Sequence, residues 1–388
     1  MQYRRDNRSG NELSALGFGC MRLPKEVEAE KLILRALELG VNYFDTAYAY
    51  MGNEEMLGRI MTRNGIRERM LLATKLPHGK CRTLDDVKRM FETSLWRLQT
   101  DYVDYYLIHN VVELSAWTRL VDLGICEWIA EQKASGTIRN IGFSFHGAHD
   151  EFAGLLEAYE WDFVQIQYNY ANENFQAGRA GLEEAERRGI PVIVMEPLLG
   201  GKLVDGLPKD AAAALRRANP EASLASWGLR WLWDQPGVTC VLSGMNALAQ
   251  LEDNVAIASA TEPGSMTERE RAAIGEAKAA FSRVFKVPCT GCNYCMPCPK
   301  GINIPATFAA YNESYAFGLF TGYMAHFMSA GAASDNPRFA ADCVGCGACA
   351  AKCPQHIDIP ARLRDARRRV EPAPIRPLVR LYGKLSNR

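Results

Sequence analysis

Eight short apolar runs, each followed by a longer amphipathic stretch, constrain this chain more than any other feature. The runs are LSALGFG (13–19), VNYFDTA (41–47), MLLATK (70–75) and DYVDYYLIH (101–109), then RNIGFSF (139–145), DFVQIQYN (162–169), PVIVMEP (191–197) and VTCVLSG (238–244). Their length and their Val, Ile, Tyr and Phe content predict strands. Between them EVEAEKLILRALELG (26–40), LDDVKRMFETSLWRLQ (84–99), LEEAERRG (182–189) and LAQLEDNVAIA (248–258) predict helices, the first stopped at Gly40. Eight strand–helix units in about 260 residues fit a closed (β/α)8 TIM barrel. The alternative, an open doubly wound sheet, wants a glycine-rich phosphate loop after its first strand. GFGCMR (17–22) lacks the third glycine of that fingerprint, so the barrel is the expected fold. The aromatic run WGLRWLWD (227–234) has helical spacing and predicts packing of a barrel helix rather than a cofactor box.

Past MTERERAAIGEAKAAF (266–281) the composition changes, and the expected boundary falls near residue 283, dividing the chain into 1–282 and 283–388. Of the 12 cysteines, Cys20, Cys81, Cys126 and Cys240 are scattered and read as small buried hydrophobes. The other eight crowd into CTGCNYCMPCPKGINIP (289–305) and CVGCGACAAKCPQHIDIP (343–360). Closely spaced thiols in a reducing compartment usually bind metal. The two segments are an internal repeat: a cysteine run ending in Cys-Pro, then Ile-x-Ile-Pro-Ala and a helical pattern, with Pro suited to the first helical turn. Cys343, Cys346, Cys349 and Cys353 have the spacing C-x2-C-x2-C-x3-C-P; Cys289, Cys292, Cys295 and Cys298 run one residue shorter before the last thiol. Soft thiolates in unbroken runs point to iron–sulfur centres. Zinc, the competing reading, takes two C-x2-C pairs separated by a loop.

Zero formal net charge gives no general attraction to nucleic acid. No run of eighteen apolar residues suggests a membrane span, and MQYRRDNRSG has no signal-peptide core behind its charges, so a cytoplasmic protein is expected. Residues 361–388 carry nine Lys and Arg against Asp365 and Glu371. A solvated helix face and tail docking on the same chain is the favoured reading; a patch for an acidic redox partner or a membrane surface is the sharper alternative.

Within the barrel, Asp45 ends the second strand, Tyr50 follows five residues later, Lys75 ends the third and His109 the fourth. The carboxyl ends of barrel strands share the face that holds active sites. Singly, such residues are more often caps or structural partners; four on successive strands form a constellation. A tyrosine hydroxyl is a weak acid near neutrality, and a lysine cation beside it favours phenolate and lowers its pKa. An aspartate keeps that lysine charged and aimed, and a histidine can orient a substrate carbonyl.

FDTAYAY (44–50), TK (74–75) and IHN (108–110) resemble the catalytic tetrad of the aldo-keto reductase family, a likeness covering roughly residues 11–260. It implies Tyr50 as general acid–base, Lys75 and Asp45 as its tuners, His109 as the carbonyl-orienting group, and a small carbonyl or alcohol as substrate. It also implies an NAD(H) or NADP(H) site. Gly19 and Met21 would lie after the first strand, and Gly142, Ser144 and Gln165 near the carboxamide. Met195 would lie under the ring, and Pro197, Leu198 and Gly200 in the pyrophosphate loop. Ser243, Gly244, Gln250 and Asn254 would lie on the adenosine side. Three departures stand out. Met195 replaces an aromatic, Phe145 replaces an Asn, and Gly244, Met245 and Gln250 replace Lys, Ser and Arg at the 2′-phosphate, so no cation is expected there.

Residues 289–360 resemble the helical two-[4Fe–4S] ferredoxin modules built into larger redox enzymes, in which the fourth cysteine of each run ligates the other cluster. That analogy groups Cys289, Cys292, Cys295 and Cys353, and separately Cys343, Cys346, Cys349 and Cys298. The expectation is therefore an oxidoreductase with a mostly helical, ferredoxin-like C-terminal domain for electron transfer. A flavin, or a ferredoxin or flavoprotein partner, would bridge two-electron and one-electron chemistry. The rival is a redox sensor or electron-carrier subunit whose barrel binds a nicotinamide or flavin with little turnover.

Overall fold

The computed structural model describes residues 1–147, 149–330 and 337–372. They form two compact units, one of residues 1–198 and 222–268, the other of residues 199–221 and those from 269 onward. The change of composition near residue 283 and these units are different divisions of the chain. Among the described residues no helix is long and apolar enough to cross a membrane.

The first unit is a closed barrel of eight strands: β1 (Leu16–Gly19), β2 (Tyr43–Asp45), β3 (Leu71–Leu76), β4 (Val103–Val111), β5 (Ile138–Phe145), β6 (Phe163–Gln167), β7 (Val192–Met195) and β8 (Val238–Ser243). Each overlaps one of the eight runs, β3, β4 and β5 reaching one or two residues past theirs, and each pairs in parallel with its sequence neighbour, β8 closing on β1. Side chains alternate between two faces along a strand. One set (Tyr43, Ala73, Tyr105, Leu107, Phe163, Ile193, Cys240) fills the barrel. The set one residue out of step, such as Phe44, Leu72, Tyr106, Ile108, Val164 and Val192, packs under the helices. At this parity Asp45, Lys75, His109, Ser144, Gln165 and Met195 all belong to the interior set.

The interior is crowded enough to demand glycine. A Cβ on Gly17 would stand 2.8 Å from the Cys240 Sγ, and one on Gly142 would stand 2.4 Å from the Phe163 carbonyl oxygen. Gly142 therefore serves packing at the level of the Phe163 ring. A hairpin of Tyr3–Arg5 with Glu12–Ser14 closes the amino-terminal end, where the Tyr105 hydroxyl donates to Asp6 Oδ2 at 2.8 Å. The aromatic run forms helix Leu224–Trp233, with Trp227 and Trp233 fully buried as packing residues.

In the second unit the cysteine repeat is also a backbone repeat. Gly291 and Asn293 in the first run and Gly345 and Gly347 in the second all have left-handed φ, as do Gly301 and His356 after the Cys-Pro pairs. The helices that follow, Ile304–Ala316 and Ile359–Val370, are capped alike by Asn303 and Asp358, each with proline in the first turn. Such caps satisfy backbone N–H groups that the first helical turn leaves open. Ile302, Ile304, Phe308, Ile357, Ile359 and Leu363 form their shared core. On the basic segment, the Arg369 guanidinium lies 3.6 Å from the Tyr315 ring centroid and donates to Ser314 Oγ at 2.6 Å. Arg362 pairs with Asp365 at 3.0 Å. These two arginines dock on their own chain; residues 373–388 of the tail lie outside the described residues.

Candidate functional site

Asp45, Lys75 and His109 sit at the carboxyl ends of β2, β3 and β4, and Tyr50 lies in the loop before helix Asn53–Asn64. The structure brings them together. Lys75 is 1% exposed, and its Nζ donates to Asp45 Oδ1 at 2.5 Å and to the Thr46 carbonyl oxygen at 2.7 Å. The second Asp45 oxygen accepts from Gln165 Nε2 at 2.9 Å. The Lys75 ammonium stands 5.2 Å from the Tyr50 ring centroid, and the His109 ring meets the Tyr50 ring edge-on at 5.9 Å. A buried ion pair needs hydrogen bonds beyond its own Coulomb attraction to offset desolvation. Thr46 and Gln165 provide them.

The loop carrying Tyr50 is fixed locally. Tyr50 N–H donates to the Ala47 carbonyl at 3.0 Å and its own carbonyl accepts from Asn53 N–H at 3.0 Å. Asn53 accepts from the Thr46 hydroxyl at 2.6 Å and donates to the Cys20 carbonyl at 2.7 Å, while Glu54 accepts from Thr74 at 2.6 Å. Thr46, Asn53 and Glu54 escaped the sequence reading. The one available signal was their position in FDTAYAYMGNEE, beside the tetrad's own motif.

Burial, with the Lys75 cation beside it, holds the His109 imidazole well below its ordinary value of 6.5, and His146 and His78 act in the same direction. His109 is thus a neutral ring at neutral pH, suited to hydrogen-bonding an uncharged oxygen. In the unfolded chain it protonates near 6.5, so below that pH the unfolded state takes up a proton that the fold refuses. Stability is therefore full above that value and falls as the pH drops beneath it. His109→Gln is expected to flatten this acid limb in urea unfolding followed between about pH 5 and 7.5; an unchanged slope would show that His109 does not carry it.

Of the nucleotide-type positions, Gly19 and Gly244 abut where β1 meets β8, a Cβ on Gly244 standing 3.8 Å from the Gly19 carbonyl oxygen. Met21 is 40% exposed in the turn after β1. Ser144 Oγ accepts from Asn110 N–H at 2.8 Å, and Asn254 donates to Ser243 Oγ at 3.1 Å. Gln250 folds back to accept from Asn246 N–H at 3.0 Å. Met195 ends β7, followed by buried Pro197, half-buried Leu198 and Gly200 in left-handed conformation. Gly200 belongs to the segment that groups with the second unit. Two of the departures go inward: Phe145 packs against Phe143 and Phe152, and Met245 is 1% exposed in the helix-side core, so neither side chain is available to a nucleotide.

The cysteines fall into two sets. Cys298 of the first run lines one pocket with Cys343, Cys346 and Cys349 of the second. Burial pushes the Cys295 thiol up to about 12, and the neighbours that add to this are Cys289, Cys292 and Cys353. Each set thus takes its fourth thiol from the other run. Thiols crowded this way favour ionisation only with a cation among them, and eight soft donors in two fours suit iron–sulfur clusters. Among the described residues no three His, Cys, Asp or Glu side chains converge closely enough to hold a single metal ion.

Residues 15–269 match the family model for the aldo/keto reductase family. The chain belongs to the aldo/keto reductase family. Residues 288–357 match the model of a 4Fe-4S dicluster domain. Among curated relatives, the uncharacterized oxidoreductase YqkF of Bacillus subtilis is 27% identical over 310 residues, covering 70% of this chain and 94% of its own. The L-glyceraldehyde 3-phosphate reductase of Escherichia coli is 27% identical over 305 residues, covering 66% and 87%. Among solved structures, the holo form of the aldo-keto reductase AKR11C1 from Bacillus halodurans superposes with a TM-score of 0.61 at 27% identity, covering 71% of this chain and 96% of its own. This aldo/keto reductase is thus a (β/α)8 barrel continued by a helical iron–sulfur module.

Proposed function

We propose that this protein reduces a small carbonyl compound, or oxidises the corresponding alcohol, at the carboxyl end of its barrel, and that its two cysteine sets hold [4Fe–4S] clusters for electron transfer. The observation that carries the reading is the Lys75 ammonium, held between Asp45 and the face of Tyr50 with His109 edge-on to the same ring. The Tyr50 hydroxyl gives a proton to the substrate oxygen, or takes it back in the alcohol direction. Lys75 stabilises the phenolate that results, Asp45 holds Lys75, and neutral His109 hydrogen-bonds the oxygen and fixes its direction. A nicotinamide nucleotide, when bound, supplies or accepts the hydride. Ser144, Gln165, Gly19 and Gly244 would hold it at the barrel mouth, Met195 would lie under the ring, and Pro197 and Leu198 would meet the phosphates.

Cys289, Cys292, Cys295 and Cys353 would hold one cluster, and Cys298, Cys343, Cys346 and Cys349 the other; each supplies one-electron storage when present. A hydride carries two electrons, so exchange with such centres needs a converter, a flavin on this chain or a ferredoxin or flavoprotein partner. Two neighbouring clusters suit a relay better than a staple, and a reducing cytoplasm suits eight cluster thiols. Anaerobic electron paramagnetic resonance after adding substrate and nicotinamide, with and without free flavin and a ferredoxin, tests this role. Full turnover with clusters that never change oxidation state would make the module structural.

On the adenosine side the positions read as Gly244 and Gln250 offer no cation, and Met245 is in the core. NADH is therefore expected to work at least as well as NADPH. Comparing kcat/KM for the two nucleotides checks this, and a strong NADPH preference would mean that a cation from elsewhere reaches the 2′-phosphate.

A further inference from the structure

Of the eight clustered cysteines only Cys346 is exposed, and all four of the other set are partly buried. The pocket that Cys346 shares is also lined by Lys300, Val344, Pro360 and Leu363, and Val344 is 62% exposed. Exposed cations surround this spot. On helix Ile359–Val370, Pro360, Leu363 and Arg367 share a face, with Arg364 at its edge. Lys352 ends the turn after Cys349, and the Arg338 side chain lies against Gly301, beside Lys300, where a Cβ would stand 3.2 Å from its Cγ. None of Lys300, Arg338, Lys352, Arg364 and Arg367 pairs with a carboxylate among the described residues, whereas Arg362 and Arg368 both pair with Asp365, at 3.0 and 3.6 Å. The acids of the same segments are turned to their own backbone: Asp342 accepts from Phe339 N–H at 2.9 Å and Asp358 from Ala361 N–H at 3.0 Å.

In a chain of zero formal net charge, five exposed cations without partners make a local positive field around a small apolar spot and an exposed thiol. Such a field steers an acidic partner and raises its association rate about 10–10³-fold, an effect that salt screens over about 10 Å at about 0.1 M. Complexes of redox carriers are small and short-lived, so steering counts for more in them than buried area. An anionic lipid surface would meet the same charges. Val344, however, is the one exposed large apolar side chain of residues 337–372, too little to insert into a bilayer. The charge and the small apolar centre fit a protein.

We infer that this face docks a small acidic one-electron carrier protein, and that electrons pass between carrier and chain at the centre held by Cys298, Cys343, Cys346 and Cys349; the inference rests on the cluster reading above. In each encounter one electron leaves the carrier and enters this centre, or the reverse; no bond forms or breaks and no proton moves. Two encounters match the two electrons of a hydride. The test is anaerobic stopped-flow reduction of the full-length, cluster-loaded protein by a reduced plant-type ferredoxin, an acidic [2Fe–2S] protein, with calorimetric titration of the oxidised pair as a second readout. The wild-type rate should fall steeply as ionic strength rises. Arg364→Glu with Arg367→Glu should lower it at least about tenfold at low salt and weaken binding in step, and the gap from wild type should close at about 0.5 M salt. Arg362→Glu, on the opposite side of the helix, should stay within about twofold. Arg364→Gln with Arg367→Gln removes the charge without reversing it; it should lose about threefold and serves if the reversed variant does not fold. Dithionite and reduced methyl viologen, small reductants of opposite charge, should not both slow in these variants. Cys346→Ser should slow the ferredoxin reaction far more than Cys292→Ser. A rate indifferent to salt, a double reversal no worse than Arg362→Glu, equal slowing of both small reductants, or a greater effect of Cys292→Ser would overturn the assignment. Capture by anionic vesicles with no ferredoxin binding would overturn it in favour of lipid. Protein purified without air that holds no iron and sulfide would instead bring down the cluster reading itself.

Discussion

Tyr50→Phe is expected to lower carbonyl turnover by at least roughly 10²–10⁴-fold, the range typical of a lost general acid. The variant keeps the ring, and with it the edge contact to His109 and the face presented to Lys75, so it removes one hydroxyl and little else. Nucleotide affinity should change little, which separates a lost proton donor from a damaged pocket. Lys75→Met should be comparably harmful for a second reason. It leaves the Asp45 carboxylate buried, with the Gln165 amide and no cation, and an uncompensated buried charge typically costs about 3–5 kcal/mol. A fall in kcat without loss of the folded state is the expected result for Tyr50→Phe, and a fall in both for Lys75→Met. Wild-type-like steady-state turnover by Tyr50→Phe on every reducible ketone would remove the tetrad from the mechanism.

The second large effect is in iron content. Protein purified without air should hold about eight iron and eight acid-labile sulfide per chain, two cubes' worth. Cys353→Ser, although in the second run, should cost the centre built on the first run and leave about four of each. The crossing can be measured by pairing variants. Cys353→Ser with Cys292→Ser removes two ligands of one set, so it should retain about as much iron as either single variant. Cys353→Ser with Cys346→Ser removes one ligand of each and should lose nearly all of it. Sites that act as a unit are non-additive, and independent sites add. The opposite pattern would mean that each run serves its own centre, and stoichiometric zinc without sulfide would exclude clusters altogether.

The tetrad was legible because it depends on two local rules. Strand-like runs are read from residue type and length over six or seven positions, and a barrel carries the carboxyl ends of all its strands to one face. Asp45, Lys75 and His109 each end such a run, so their meeting follows from the count of runs alone. Gly142 and Met245 show where such reading stops. Both match positions of a nucleotide site by alignment with a motif, but Gly142 answers to the Phe163 ring and Met245 to the helix-side core. What a side chain touches across the barrel depends on stagger between strands distant in sequence, which no local pattern encodes.

Spacing along a few consecutive residues was enough for the eight strands, the four tetrad residues at or just past their ends, and the two cysteine runs with the helices that follow them. Packing was needed to show that Thr46 and Gln165 complete the buried Lys75–Asp45 pair, that the 199–221 segment groups with the C-terminal unit, and that Gln167 is buried with no hydrogen-bond partner among the described residues. Each of these is a relation between residues far apart in the chain. It is set by how the strands stagger and the helices pack, and by which polar atoms that packing satisfies.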